Sequence, residues 1–233
     1  MVSGDSPDME FFIMTTEDYH ESMALLHSEY VGRNPLCKAC GETGQNTYTE
    51  PLMSDVRKCL ASGASIGVRD KASKTLAGVF LNAPLNMDEA CASSNINTDN
   101  LGIEYRVLRR LTADTRLLFQ DQEVHQVLDL FVLCVHRGYG GRRLASTLLQ
   151  KSLRLGAEQG YEMASVLSTN SVTEKICARL GFQTVKSLDL TTLAEEFSID
   201  TSLIPGETEM KMMTKRLPPP PPPCNNFTLS RST

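Results

Sequence analysis

The chain has 233 residues, 41% of them apolar, and a formal net charge of -5. That length suits one large domain or two small ones, and the apolar share is ample for a core. The acidic balance excludes a broad nucleic-acid-binding surface, so basic ligand recognition must be local, as in the cluster Arg137, Arg142 and Arg143.

The first residues, Met-Val-Ser-Gly-Asp-Ser-Pro, have neither the basic region nor the apolar stretch of a secretory signal. No apolar run approaches a membrane span. The seven cysteines are scattered and odd in number, which suits reduced thiols. The expectation is a cytoplasmic protein without membrane contact, in which the sequon at Asn226 has no meaning.

Met9–Met14 reads as a first strand. Thr15 and Thr16, followed by Glu17 and Asp18, mark a helix start with acids near the positive end of its dipole. That helix carries Met23, Leu26 and Tyr30 and stops before Pro35; Asn34–Tyr48 reads as a loop. Pro51–Leu60 fits a second helix. Ser65–Arg69 and Thr75–Asn82 read as a hairpin around a charged turn. Pro84–Asn100 is irregular, and Leu101–Phe119 reads as helical.

Val127–Val135 is nearly all apolar, as in a strand buried on both faces. A glycine- and arginine-rich loop follows, then a helix from about Arg142 with Leu144, Ala145, Leu148, Leu149, Ser152, Leu153, Gly156 and Ala157 on one stripe. Such a junction aims N–H groups and a helix dipole at one spot and favours an anion, most often a phosphate. It matches neither G-x-G-x-x-G nor a Walker loop. Met163–Leu167 is the next strand. A helix from Ser171 follows, with Val172, Ile176, Cys177 and Leu180 inward, and then strands at Gln183–Leu190 and Glu209–Leu217. Six prolines follow Leu217, so residues 218–233 are expected to be a disordered tail.

Val166–Asn170, Thr173 and Cys177–Phe182 repeat the strand–helix grammar and end in Leu-Gly-Phe. With the Gly138–Ala145 loop they resemble the acyl-CoA-binding half of the GNAT superfamily of N-acyltransferases. The loop resembles that superfamily's Arg/Gln-x-x-Gly-x-Gly/Ala phosphate motif, falling on Gly140, Gly141, Arg142, Arg143, Leu144 and Ala145. Asn170 stands where the superfamily carries an asparagine beside the cofactor arm. Asn34-Pro35-Leu36, Ser65–Val68 and Leu76–Asn82 are similar to the arylalkylamine N-acyltransferases of invertebrates. The resemblance covers residues 9–217.

What it implies is one mixed α/β (α+β) domain with a central, mainly antiparallel sheet, whose strands ending near Val135 and Leu167 splay apart to admit pantetheine. It implies direct acyl transfer from acetyl-CoA, or a longer acyl-CoA, to a primary amine such as dopamine, tyramine or serotonin, with no metal. Polyamines and small aliphatic amines stay open, as do a protein acetyltransferase of the same superfamily and a non-catalytic acyl-CoA-binding protein. N–H groups at Leu133, Cys134 and Val135 would polarise the thioester carbonyl, and the phosphates would sit over Gly140–Ser146. A monomer or weak dimer is expected.

The chain departs from the pattern in four places. Gly140 replaces Arg/Gln, and Arg143 replaces the central glycine, which requires Arg143 to keep an ordinary helical backbone. Asn34 stands where the arylalkylamine enzymes carry a glutamate that acts in proton removal, and an amide accepts no proton at neutral pH. Asp129, matching an acidic position of that family, is the preferred substitute; His125 and His136 are alternatives. Thr169 and Thr173 match serines of the family, or else cap a helix. Cys177 replaces a tyrosine that many members use to protonate the leaving thiolate. Cys37-Lys-Ala-Cys40 is a lone C-x-x-C and lacks the second pair a structural zinc needs.

Overall fold

The computed structural model describes residues 8–41, 50–85, 102–113, 115, 119 and 123–220. Residues 221–233 of the expected tail, the sequon and most of the irregular segment after Pro84 lie outside the described residues.

Strand β1 (Met9–Ile13) leads to a 3-10 turn, Thr16–Asp18, closed by a capping box in which Thr15 and Asp18 bond each other's backbone N–H. Helix α1 (Tyr19–Leu25) continues as a π turn, Leu26–Tyr30. The stretch read as a loop after Asn34 instead begins with a short helix, α2 (Pro35–Ala39): Asn34 Oδ1 accepts the Leu36 and Cys37 N–H groups, and proline occupies the first turn. There follow α3 (Glu50–Ala61), β2 (Ile66–Asp70), β3 (Leu76–Pro84) and α4 (Ile103–Thr112). Then come β4 (Val127–Val135), α5 (Leu144–Glu158), β5 (Met163–Ser168) and α6 (Ser171–Arg179). The last elements are β6 (Gln183–Asp189), α7 (Leu190–Phe197) and β7 (Glu209–Arg216). Helix α7 has no counterpart in the sequence reading, although Asp189, which accepts the Thr191 and Thr192 N–H groups, marks its start.

The strands form one seven-stranded sheet, β1-β2-β3-β4-β5-β7-β6, antiparallel throughout except between β4 and β5. Helices α5 and α6 cover one face, where Leu148, Leu149, Leu153 and Cys177 pack with Val68, Ala77, Leu128 and Ala164. Gly156 permits the close approach, since a Cβ there would come within 2.7 Å of Leu128. The other face is covered by α1, the π turn and α3, through Leu25, Leu26, Val56 and Leu60, and by α4 and α7, through Val107, Leu111, Leu190 and Leu193. The result is three layers, helix–sheet–helix. Val172, expected inward, is 65% exposed: the first turn of α6 begins beyond the end of β5, and its inward positions start at Ile176 and Cys177. Among the described residues no helix is long and apolar enough to cross a membrane.

Candidate active site

The centre of the sheet comes apart in one place. β4 and β5 pair only from Val127↔Met163 to Leu130↔Val166. Beyond that point β4 runs on to Val135 against β3 alone, and β5 runs on to Ser168 against β7 alone. The opening coincides with a bulge. Leu81 faces Val132 while Asn82 faces Leu130, so Phe131 is the extra residue.

The bulge shifts the phase of the main chain. His136 N–H donates to Ala77 O on the β3 side, so antiparallel alternation turns the N–H groups of Leu133 and Val135 to the open side. The Val135 carbonyl points the same way and accepts Arg33 Nη1 at 3.0 Å. Cys134 lies between them and has its own N–H directed at β3; of the three residues expected to face a thioester, it faces the ladder instead.

The turn after β4 is held from within. His136 Nδ1 accepts the Gly138 N–H, and the N–H groups of Tyr139 and Gly140 donate to the carbonyls of His136 and Arg137. From Gly141 to Ser146 the N–H groups have no acceptor among the described residues, which leaves a run of donors at the start of α5. Helix α5 begins at Leu144, two residues later than expected. Its N-cap, Arg143, has φ 58 and ψ 19, and Gly141 has φ 74. Arg143 therefore adopts the left-handed conformation that glycine takes without strain, not the ordinary helical one expected of it.

The arginine cluster divides. Arg137 Nε lies 3.1 Å from both oxygens of Glu29, and Arg33 Nη1 lies 3.1 Å from Glu29 Oε2. Burial pushes the Glu29 carboxyl up, but the hydrogen bonds from Arg137 and Arg33 outweigh it and hold the group below its ordinary value. This clasp fastens the π turn to the end of β4. Arg142 is exposed and stacks on the Tyr139 ring at 5.2 Å. Arg142 and Arg143 are thus the cluster members outside the clasp.

Beside the bulge lies a cavity of about 610 Å³, within the usual range for small-ligand sites. Asp129, Leu130, Phe131 and Val132 of β4 line it, with Thr169 beyond β5, Tyr30 of the π turn, Asp55 of α3, and Glu104 and Tyr105 of α4. Burial, reinforced by the charge of Asp55, pushes the Asp129 carboxyl up to about 7. Asp55 is itself held by the Tyr105 hydroxyl at 2.6 Å and Lys58 at 3.4 Å.

Asn34 does not line the cavity. Its Oδ1 is occupied in capping α2, and its Nδ2 donates to Glu104 Oε1 at 3.1 Å. Asn170 likewise caps α6, accepting the Thr173 N–H at 2.9 Å. Thr169 faces the cavity and Thr173 does not. Neither His125 nor His136 reaches it: His125 is exposed, and His136 braces the turn. Cys177 is 1% exposed in the core under α6, where burial pushes its thiol to about 12, too high for ready proton donation to a thiolate. Cys37 and Cys40 are buried on and after α2 and form no disulfide, and among the described residues no His/Cys/Asp/Glu group could hold a metal.

Glu104, Tyr105, Asp55 and Glu29 are absent from the sequence reading. They come from three separate helical segments, and nothing in their local spacing distinguishes them from solvated helix positions.

No protein-family model and no curated protein matches the chain. Solved structures do. Arylalkylamine N-acetyltransferase 2 from Aedes aegypti superposes with a TM-score of 0.75 at 20% identity, over 91% of this chain and 100% of that one. The fold is that of the GNAT acetyltransferases. A Drosophila melanogaster polyamine N-acetyltransferase that forms N-acetylagmatine gives 0.72 at 16% identity, over 90% of this chain and 100% of that one. The C-terminal condensation domain of Ebony, solved with beta-alanyl-dopamine, gives 0.71 at 15%, over 90% and 99%.

Proposed function

We propose that this protein transfers an acyl group from acetyl-CoA, or a related acyl-CoA, directly to the nitrogen of a small primary amine. The observation that carries the reading is the parting of β4 from β5 at a bulge, between a turn rich in unused N–H groups and a cavity containing a carboxylate of raised pKa.

In this reading the diphosphate lies on the N–H groups of Gly141 to Ser146, with Arg142 adding charge. Gly140 keeps the approach open, and Arg143 sets the backbone turn. The thioester carbonyl accepts from the outward N–H groups of Leu133 and Val135, which stabilise the negative charge that develops on its oxygen. Asp129 takes the amine's proton through water, and Thr169 orients the nucleophile. A carboxylate with a pKa about 7 is half ionised at neutral pH and so can serve as a base there. The amine attacks the carbonyl carbon, the C–S bond breaks, and CoA leaves as a thiolate with a pKa of roughly 8.5, stable enough to need no dedicated acid.

The aromatic walls Tyr30, Tyr105 and Phe131 suit an arylalkylamine such as tyramine, dopamine or serotonin. The carboxylates Asp55, Glu104 and Asp129 suit a cationic acceptor and keep a polyamine or agmatine-like amine as the second reading. The test is free-thiol release from acetyl-CoA by the purified protein with tyramine, dopamine, serotonin, putrescine and agmatine. Turnover near neutral pH is expected with one of these amine classes. Heat on titrating CoA, with no thiol released by any amine, would mark a binding protein instead.

A further inference from the structure

Among the described residues two cationic side chains line the cavity, Lys58 and Arg109, and they differ in what answers their charge. Lys58 Nζ lies 3.4 Å from Asp55 Oδ1. Arg109, half-buried on α4, has a buried Nε without a hydrogen-bond partner, and its guanidinium pairs with no carboxylate or carbonyl among the described residues. A guanidinium keeps its charge at any pH the protein meets and offers five donors. A buried donor left unbonded there is destabilising until an acceptor arrives.

The acids of the cavity do not supply that acceptor. Asp55 already takes the Tyr105 hydroxyl at 2.6 Å besides Lys58, and Glu104 accepts from Tyr30, Asn34 and Cys37. Burial and the charge of Asp55 push the Asp129 carboxyl up, and no positive charge offsets them. A guanidinium beside Asp129 would hold it down, so the two groups stand apart in the cavity. Arg109 follows Tyr105 by one turn of α4, about 6 Å along the axis and on the same face. The β4 residues that line the cavity are Asp129 to Val132, not Leu133 or Val135, so the cavity lies on the acceptor's side of a thioester held by those N–H groups.

Acids in one part of a cavity and an unanswered guanidinium in another suit a zwitterion. The planar fork of an arginine matches a carboxylate with two parallel hydrogen bonds, whereas a plain amine would leave Arg109 without an acceptor. We infer that the acceptor is an amino acid, its carboxylate held by Arg109 and its nitrogen turned toward Asp129. This rests on the acyl-transfer reading and narrows its acceptor class. The nitrogen bonds to the acyl carbon, the C–S bond breaks, the proton goes to Asp129 through water, and the products are an N-acyl amino acid and the CoA thiolate. A carboxylate on the acyl group, as in a dicarboxylic acyl-CoA, would bring the same chemistry from the donor, and the experiment separates the two.

Matched pairs supply the test. Thiol release from acetyl-CoA is followed with tyrosine against tyramine and 4-aminobutyrate against propylamine, each amine being its amino acid without the carboxyl group. In wild type at least one amino acid should exceed its amine at least about tenfold in kcat/KM, the size of one charge-assisted hydrogen bond. Arg109→Gln should bring that ratio to about one, with CoA binding and the melting midpoint reporting on the fold. A wild-type ratio below about tenfold in both pairs overturns the inference, as does a folded Arg109→Gln that slows both members of a pair alike. If Arg109→Gln does not fold, Arg109→Lys decides: it keeps the charge without the fork, so a reduced ratio supports the inference and an unchanged one overturns it. With succinyl-CoA as donor and tyramine as acceptor, a dependence on Arg109 that the amino acids lack would move the carboxylate to the acyl group and overturn it too. Calorimetric binding of an amino acid to the CoA-loaded protein that is lost in Arg109→Gln, with no thiol released by any acceptor, would sink the acyl-transfer reading and leave the carboxylate site standing. Neither thiol release nor such binding would end both.

Discussion

The turn that follows β4 and the cavity beside its bulge serve the same strand, yet one is made of main chain and the other of side chains. In the turn, the donors without an acceptor among the described residues are the N–H groups of Gly141 to Ser146, which every residue type except proline possesses. Gly140 and Arg143 can therefore replace the residues that the phosphate motif favours, provided the backbone keeps its path. In the cavity the acidic groups are particular carboxylates, Asp129, Asp55 and Glu104, supplied by a strand and two helices. A substitution there removes the function of that atom unless another segment brings an equivalent one. Backbone-built sites tolerate sequence change; side-chain-built sites must be compensated.

The contrast is sharpest at Asp129. Asp129→Asn should lower kcat by about a hundredfold or more, the usual contribution of a general base. In wild type, kcat should rise with pH through about 7 as Asp129 ionises, and that limb should vanish in the variant. A stability measurement provides the companion test. Because the folded pKa is raised from 3.8 to about 7, the folded state binds the proton more tightly than the unfolded one, so stability falls as pH rises across that window. Urea melts of Asp129→Asn should lack this decline. A pH–rate profile that tracks hydroxide without a plateau would place the proton transfer outside the protein.

At the turn, the expected effects are smaller because the main chain remains. Arg142→Gln should raise the acetyl-CoA KM about tenfold, roughly 1.4 kcal/mol, and leave amine dependence alone. An unchanged cofactor KM would remove Arg142 from the site. Smallest is Arg143→Gly. A non-glycine residue in the left-handed region costs roughly 1–2 kcal/mol, partly offset by the greater unfolded-state freedom of glycine. The variant should gain about 1 kcal/mol in urea unfolding and lose little cofactor affinity. A destabilised variant would mean that the Arg143 side chain contributes more than its backbone strain takes away.

Much of the architecture is legible in local pattern. The nearly all-apolar run Val127–Val135 is a buried strand, and the stripe from Leu144 to Ala157 is the packed face of α5, because burial on two faces and on one leaves different periodicities. The glycines and arginines between them mark a turn whose main-chain donors suit an anion. Asp129 and Thr169 are legible only through their resemblance to a family pattern, and Asn34 is legible as a departure from it. Its capping of α2, by contrast, follows from its place just before Pro35.

What the amino-acid sequence determined alone is the succession of strands, the long helix after β4 and the place of the turn between them, since these follow from interactions within a few residues; the left-handed backbone of Arg143 and helix α7 were not among them. What only the tertiary structure decided is which charges meet. The bulge at Phe131 that turns Leu133 and Val135 outward depends on register with β3, and the approach of Glu104 to Asn34 spans 70 positions. The raised carboxyl of Asp129 depends on burial and on Asp55 from another helix. Coulomb and desolvation energies are set by distance in space, which chain spacing does not encode until the core has packed.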